Sequence, residues 1–292
     1  MDFNKIVFPN PKLDYEIVRN YEDELIFIPK SKGRLEYIPC LFIRDHSGNS
    51  SKNVIILFHG NAEDIFGARN MGDTLCQKLH MNVVIVEYPG YSIYQSEPST
   101  DKILENTTIV YDYIKNIFQL NDKNIFIFGR SIGTSPAIYL ASKRKPNALF
   151  TVSAFTSIKA VAHNLVGFLK VLVKDRLQSI DYIKNVTCPI LLIHGQDDPL
   201  IPFKETILLK DNCDCPFKVY LPESMTHNDF DIDGDIIIPI SKFIEQNCNV
   251  DKTKNNFDEN EKISELYNIP PYIDSLIKKN IKLQNEDNYG YY

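Results

Sequence analysis

Apolar residues along this chain fall into two recurring patterns. Short β-branched and aromatic runs stop abruptly at polar or Gly/Pro-rich segments, and between those runs apolar residues return at every third or fourth position. The first pattern marks strands buried in a sheet and the second marks amphipathic helices. Residues 25–28 and 35–44 are β-rich runs separated by Pro29, Lys30, Ser31, Lys32 and Gly33, which predicts an antiparallel hairpin. From Val54 onward the two patterns alternate. Runs at 54–58, 82–87, 124–128, 148–152, 189–193 and 217–221 read as strands. Stretches at 62–79, 100–118, 134–143 and 235–246 read as helices, and another starts over 203–209. The expected fold class is α/β: a mostly parallel eight-stranded sheet with an N-terminal antiparallel hairpin and helices on both faces.

Some segments break the rhythm. Residues 155–177 carry Ile158, Val161, Leu165, Val166, Phe168, Leu169, Leu172 and Val173, too many apolar side chains for a loop. We assign a small lid to about 155–180. After Cys248 the composition shifts to Asn, Lys, Asp and Glu. One compact domain is therefore expected over 1–248, followed by a polar C-terminal tail over 249–292 with a single helix at 271–281. Residues 1–20, punctuated by Pro9 and Pro11, read as an extended lead-in, and there is no internal repeat.

Composition narrows the function classes. The 292 residues are 43% hydrophobic, enough for one large domain with a sizeable core. A formal net charge of −6 without a basic block argues against nucleic acid as a partner. Cysteines stand at 40, 76, 188, 213, 215 and 248. The start, Met1 to Lys5, has no basic segment leading into an apolar one, so no secretory signal is visible. Reduced thiols and a cytoplasmic location are the expectation. No stretch reaches the length of a membrane span. Asp2 excludes N-myristoylation and the Tyr291–Tyr292 end excludes prenylation, so membrane contact is expected to be peripheral at most.

The chemistry centres on Gly129, Arg130, Ser131, Ile132 and Gly133, a Gly-x-Ser-x-Gly string between a strand and a helix. A serine there sits on a tight, strained turn, and side chains in place of the glycines would crowd neighbouring backbone. A serine hydroxyl is a weak nucleophile at neutral pH and needs a base, which in turn needs an orienting carboxylate. In an open parallel sheet such groups gather at the carboxyl ends of strands. The run at 190–193 ends in His194, Gly195, Gln196, Asp197 and Asp198, and the next strand is followed by His227. Asp197 and Asp198 are adjacent and alternate in direction, so only one can face His227. An oxyanion would be held by the backbone N–H groups of Asn61 and Ile132. His46, His80 and His163 follow no late strand, whereas His59 and His194, each before a glycine, read as loop-shaping. Asp229 to Asp235 imitates the start of a calcium loop, but its twelfth position is Ile240 rather than Glu, so a charged lead into a helix is the better reading. Cys213 and Cys215 lack a second ligand pair for a metal. Pro270 and Pro271 read as a helix start.

Taken together, these strings resemble the Bem46-like branch of the α/β-hydrolase superfamily, which includes mammalian α/β-hydrolase-domain enzymes that remove palmitate from membrane-attached proteins. The matching residues are His59 to Ala62 with Asp64, Tyr88 to Tyr91 with Pro98 and Ser99, Gly129 to Thr134 with Leu140 to Ser142, Pro189 to Gly195 with Asp198, and His227 to Asp229. They span residues 8–246. Gly195 to Ile201 is similar to the superfamily's acid loop, which favours Asp198, and the chain order Ser, Asp, His matches as well. The resemblance implies Ser131 as nucleophile, Asp198 as acid and His227 as base. The chain departs from the family pattern at Gly90, Tyr91 and Ser92, and at Ser224 to Thr226 before the histidine. It carries neither the N-terminal cysteine cluster nor the N-terminal membrane helix found in members of the branch.

The reading implied is a serine hydrolase acting on an acyl ester or thioester, such as a lipidated protein or a lipid ester. The chemistry requires no metal or organic cofactor. Phe155, Val161 and Leu165 are the expected lining of a hydrocarbon groove beneath the lid. A serine peptidase or amidase of the same fold, and a non-catalytic hydrolase-fold scaffold, are the alternatives.

Overall fold

The computed structural model describes residues 15–31, 36–47, 51–161, 177–250, 265–271, 273–275 and 278–279. Most of the expected lid, including Leu165, lies outside the described residues, as do the first part of the lead-in, the tip of the expected hairpin and parts of the expected tail helix.

Eight strands form one sheet: β1 (Leu25–Pro29), β2 (Tyr37–Ile43), β3 (Val54–Phe58), β4 (Asn82–Val86), β5 (Ile125–Arg130), β6 (Ala148–Val152), β7 (Ile190–Ile193) and β8 (Phe217–Tyr220). Their spatial order is β1-β2-β4-β3-β5-β6-β7-β8. β1 pairs antiparallel with β2, and β2 with β4. Every other pairing is parallel, from Val54 opposite Asn82 in β3–β4 to Ile193 opposite Tyr220 in β7–β8. The α/β-hydrolase architecture expected from the sequence is thus the observed one.

Alternate residues of the central strands feed opposite faces, as the two-residue period of a strand dictates. Ile56, Phe58, Ile127, Leu149 and Leu192 pack on one face against α3 (Thr100–Ile117) and α4 (Thr134–Lys143) through Ile103, Val110, Tyr111, Ile114 and Ile138. Ile55, Leu57, Phe126, Phe128, Phe150 and Leu191 pack on the other face against α2 (Arg69–Leu79) and α6 (Ile238–Asn247) through Leu75, Cys76, Ile240 and Phe243. Each fully buried Phe, Leu or Ile side chain contributes roughly 1.5–3 kcal/mol from removal of apolar surface from water. Shorter helices include α1 (Tyr15–Asn20) and α5 (Lys204–Asp211), with a single helical turn over Ser179–Tyr182.

The structure corrects two helix boundaries. The helix expected from residue 62 begins only at Arg69. Between them, backbone donors that a helix would use are taken by side chains: Phe66 and Gly67 N–H donate to Asp64 Oδ1, and Ile65 N–H donates to Glu87 Oε2. Competition of this kind defers helix formation. At the other end of the chain, a π-helical turn over Ile232–Ile237 precedes α6. It starts on Asp231, whose carboxylate accepts from the Asp233 N–H. The acidic run that imitates a calcium loop therefore caps a helix. The described part of the polar tail also contributes to the core, because Leu266 and Ile273 are buried at 2% and 0% exposure.

Candidate active site

The site lies at the carboxyl ends of β5, β7 and β8 and the loop after β3. β5 ends at Arg130, and Ser131 opens a single 3-10 turn, Ser131–Gly133, that runs into α4. Ser131 adopts a left-handed backbone with φ 51°, a strained position for a non-glycine residue. Such strain lifts the side chain off the sheet edge. The flanking glycines are sterically required. A Cβ at Gly129 would fall 2.5 Å from the Gly133 carbonyl oxygen, and one at Gly133 would fall 2.2 Å from that of Phe58.

The loops after β7 and β8 are pressed together. A Cβ at Gly195 would sit 1.9 Å from the Met225 carbonyl oxygen, so only glycine admits this approach. It brings Asp198 under His227. His227 Nδ1 lies 2.8 Å from Asp198 Oδ2, and His227 Nε2 lies 3.0 Å from Ser131 Oγ. A carboxylate only accepts, so Nδ1 carries the proton and Nε2 is left to accept from the serine hydroxyl. Ser131, Asp198 and His227 are 7%, 8% and 8% exposed, so the row is nearly dry. Asp197 points to solvent.

Burial opposes the charge on Asp198, but hydrogen bonds from His194, His227 and the Ile201 N–H, together with the His227 charge, outweigh it. Its carboxyl is held well below the usual carboxylate range. Oδ1 also accepts from the Leu200 and Ile201 N–H groups, each at 2.9 Å. His194 is fully buried behind this acid, with Nε2 3.4 Å from Asp198 Oδ2 and donating to the Ile201 carbonyl at 2.8 Å. Its Nδ1 pairs with the Thr206 hydroxyl at 2.7 Å.

The loop after β3 carries Asn61, which lies in a turn, is exposed, and accepts from the Tyr91 hydroxyl at 2.7 Å through its side chain. Ile132, the residue after the serine, is buried at 8% exposure. The Asn61 loop is braced from below. His59 Nδ1 donates to the Gly60 carbonyl at 2.9 Å, and Nε2 faces Glu87 Oε1 at 3.2 Å. Glu87 also accepts from the Tyr88 and Ile65 N–H groups, and the Tyr88 hydroxyl donates to the His59 carbonyl. Burial pushes the Glu87 carboxyl up, against the opposing pull of His59. Burial pulls His59 down, but the Glu87 hydrogen bond and charge raise it above the ordinary imidazole value.

Of the expected groove-lining residues, Phe155 and Val161 are buried at 2% and 5% exposure in the apolar cluster beneath α3 and α4. The patterns in the sequence give no role to Glu63, Glu87, Tyr91 or Arg130. An acid directly after the apolar run at 83–86 is a signal that could mark Glu87. Among the described residues, no helix is long and apolar enough to cross a membrane.

No family model matches the chain. The human alpha/beta hydrolase domain-containing protein 17B is 27% identical over 209 residues, covering 72% of this chain and 71% of that protein. The esterase Pf2001 of Pyrococcus furiosus superposes with a TM-score of 0.67 at 14% identity, covering 82% of this chain and 98% of the esterase. Est1E from Butyrivibrio proteoclasticus superposes with a TM-score of 0.59 at 15% identity, covering 76% of this chain and 98% of Est1E. The chain is an α/β hydrolase in fold, and its curated homologues include the alpha/beta hydrolase domain-containing proteins 17B and 17C.

Proposed function

We propose that this α/β hydrolase is a serine hydrolase that cleaves acyl esters or thioesters through a covalent acyl-enzyme. The observation that carries the reading is the buried row from Ser131 Oγ through His227 to Asp198, with separations of 3.0 and 2.8 Å. In this reading Ser131 attacks the acyl carbonyl as His227 Nε2 takes its proton. Asp198 holds the imidazole in the right tautomer and stabilises the imidazolium that forms. The backbone N–H groups of Asn61 and Ile132 receive the oxyanion, each worth about 3–4 kcal/mol in the transition state. His227 then protonates the departing alcohol or thiol. Water repeats the sequence on the acyl-serine, releasing the acid and restoring the hydroxyl.

The resemblance to Bem46-like depalmitoylases favours a fatty acyl thioester on a protein at a membrane surface. The apolar composition of residues 155–177 favours an acyl chain as well. In this reading residues 1–248 are the catalytic domain, the lid covers the acyl chain, and the protein is cytoplasmic with peripheral membrane contact. A fluorophosphonate probe tests the chemistry. Wild type is expected to be labelled and Ser131→Ala is not; equal labelling of both would end the reading. Short- and long-chain p-nitrophenyl esters test the substrate class, and indifference to chain length would remove the lipid assignment.

A further inference from the structure

We propose that Arg130 is a positioning residue that locks the nucleophile, the base and the oxyanion loop into one register. The inference rests on the assignment of Ser131 and His227 as nucleophile and base. Arg130 is the last residue of β5, bonded directly to Ser131, and its guanidinium reaches two other loops. Nη2 donates to the His227 carbonyl and to Asn228 Oδ1, each at 2.9 Å. Nη1 donates to Glu63 Oε1 at 3.2 Å. That same oxygen accepts the Gly60 N–H at 2.6 Å, beside the Asn61 whose backbone N–H would face the oxyanion. The guanidinium also lies 5.5 Å from the centroid of the Phe230 ring.

The space for this contact is reserved by the fold. A Cβ at Gly60 would lie 2.8 Å from Arg130 Nη1 and 2.7 Å from Glu63 Oε1, so the glycine leaves room for the ion pair. The Arg130 and Glu63 side chains are only 16% and 27% exposed. A planar fork can serve these acceptors at once, whereas an ammonium is a point charge on a flexible stem. Arg130 touches neither Ser131 Oγ nor the imidazole nitrogens in this set of bonds; it holds the His227 backbone, and the ring follows. Misplacing a catalytic group by about 1 Å costs on the order of 100-fold in rate.

A cavity of about 200 Å³ borders the guanidinium, lined in part by Glu63, Met71, Arg130, Asn228 and Phe230. Truncation at residue 130 would enlarge it into space that a free guanidinium ion can enter.

The test uses the full chain with p-nitrophenyl butyrate. Arg130→Met is expected to lower kcat by about 10- to 100-fold while KM changes by less than about 3-fold. Arg130→Lys should fall between it and wild type. Guanidinium chloride at non-denaturing concentration should restore part of kcat in Arg130→Ala and leave wild type unaffected. A folding role alone would lower the active fraction, as titrated by fluorophosphonate, with no change in kcat per active site. That result, wild-type kcat in Arg130→Met, or a rise in KM at unchanged kcat would overturn the proposal. If Arg130→Met does not fold, Arg130→Lys and Glu63→Gln give the same reading, and wild-type kcat in both overturns it. Failure of the underlying site assignment looks different, because Ser131→Ala would then hydrolyse the ester as fast as wild type.

Discussion

The buried pairs His227–Asp198 and His59–Glu87 stand along the same rim of the sheet, and they differ in what the second ring nitrogen meets. His227 binds Asp198 through Nδ1 and the Ser131 hydroxyl through Nε2. His59 binds Glu87 through Nε2 and the Gly60 carbonyl through Nδ1. A hydroxyl can surrender a proton to a ring nitrogen, but a carbonyl can only accept one, so Nδ1 of His59 keeps its hydrogen. The carboxylates differ as well. Asp198 is supported by the imidazoles of His194 and His227 and is held below its ordinary range. Glu87 has the imidazole of His59 as its cationic partner, and burial prevails, pushing it up. A buried acid between paired imidazoles is held toward its anionic form, whereas burial pushes one that faces a single imidazole toward its neutral form. The first arrangement suits proton transfer and the second suits bracing.

The sharpest way to break this contrast is to disable each pair in turn. Ser131→Ala is expected to lower ester hydrolysis by roughly 10⁴- to 10⁶-fold with little effect on the unfolding midpoint, and His227→Ala to lower it as far while also costing stability, because it takes a partner from the buried Asp198 carboxylate. Asp198→Asn should follow at about 10⁴-fold, because an amide favours the wrong imidazole tautomer. Steady-state turnover per folded molecule measures both. A loss below about tenfold in either would remove the proton-transfer role from the His227 pair.

Breaking the bracing pair should register as stability instead. Glu87→Ala removes the acceptor of the His59, Ile65 and Tyr88 donors at once. Loss of one partner of a buried pair costs about 3–5 kcal/mol, which urea denaturation reads directly. Turnover of the molecules that remain folded should fall far less than in Asp198→Asn. If Glu87→Ala instead matched Asp198→Asn in turnover at unchanged stability, the two pairs would have equivalent roles.

How far the sequence carries depends on whether the physics is local. β3 to β7 are short, largely apolar runs whose burial is written in their own residues, whereas β8 is a partly exposed edge strand, and the α4 span coincides with the expected 134–143. The start of α2 was not legible, because it is set by Asp64 and by Glu87, which lies just after β4 and distant in sequence. The burial of Leu266 and Ile273 was hidden for a similar reason: the surrounding tail is polar, and only the packed sheet offers them a place. At the site, Ser131 and His227 are marked by their flanks and their order, whereas Arg130 occupies the variable position of its motif. Its role exists only once the loops of Glu63 and His227 are folded beside it.

Acid should expose Asp198 in a second way. Its folded carboxyl titrates below the unfolded value of about 3.9. Above that pH the anion contributes its full stabilisation, and below it the unfolded chain takes up the proton first, so stability is lost as pH falls toward the folded value. The wild-type unfolding midpoint should therefore decline more steeply below about pH 4 than that of Asp198→Asn. Parallel curves would mean that the histidines do not hold the acid in its charged form.

The smallest expected effect is also the most discriminating for the acid loop. Asp197 and Asp198 are neighbours of identical chemistry, yet one is exposed and the other accepts from His227 and from the Leu200 and Ile201 N–H groups. Asp197→Asn keeps the side-chain shape and removes only a solvated charge, so stability should change by no more than about 0.5 kcal/mol. Turnover should change by less than about 2-fold, since a screened surface charge has little purchase on the buried imidazole. A loss comparable to that of Asp198→Asn would mean that the loop turns over in solution and that the wrong carboxylate has been placed beneath His227.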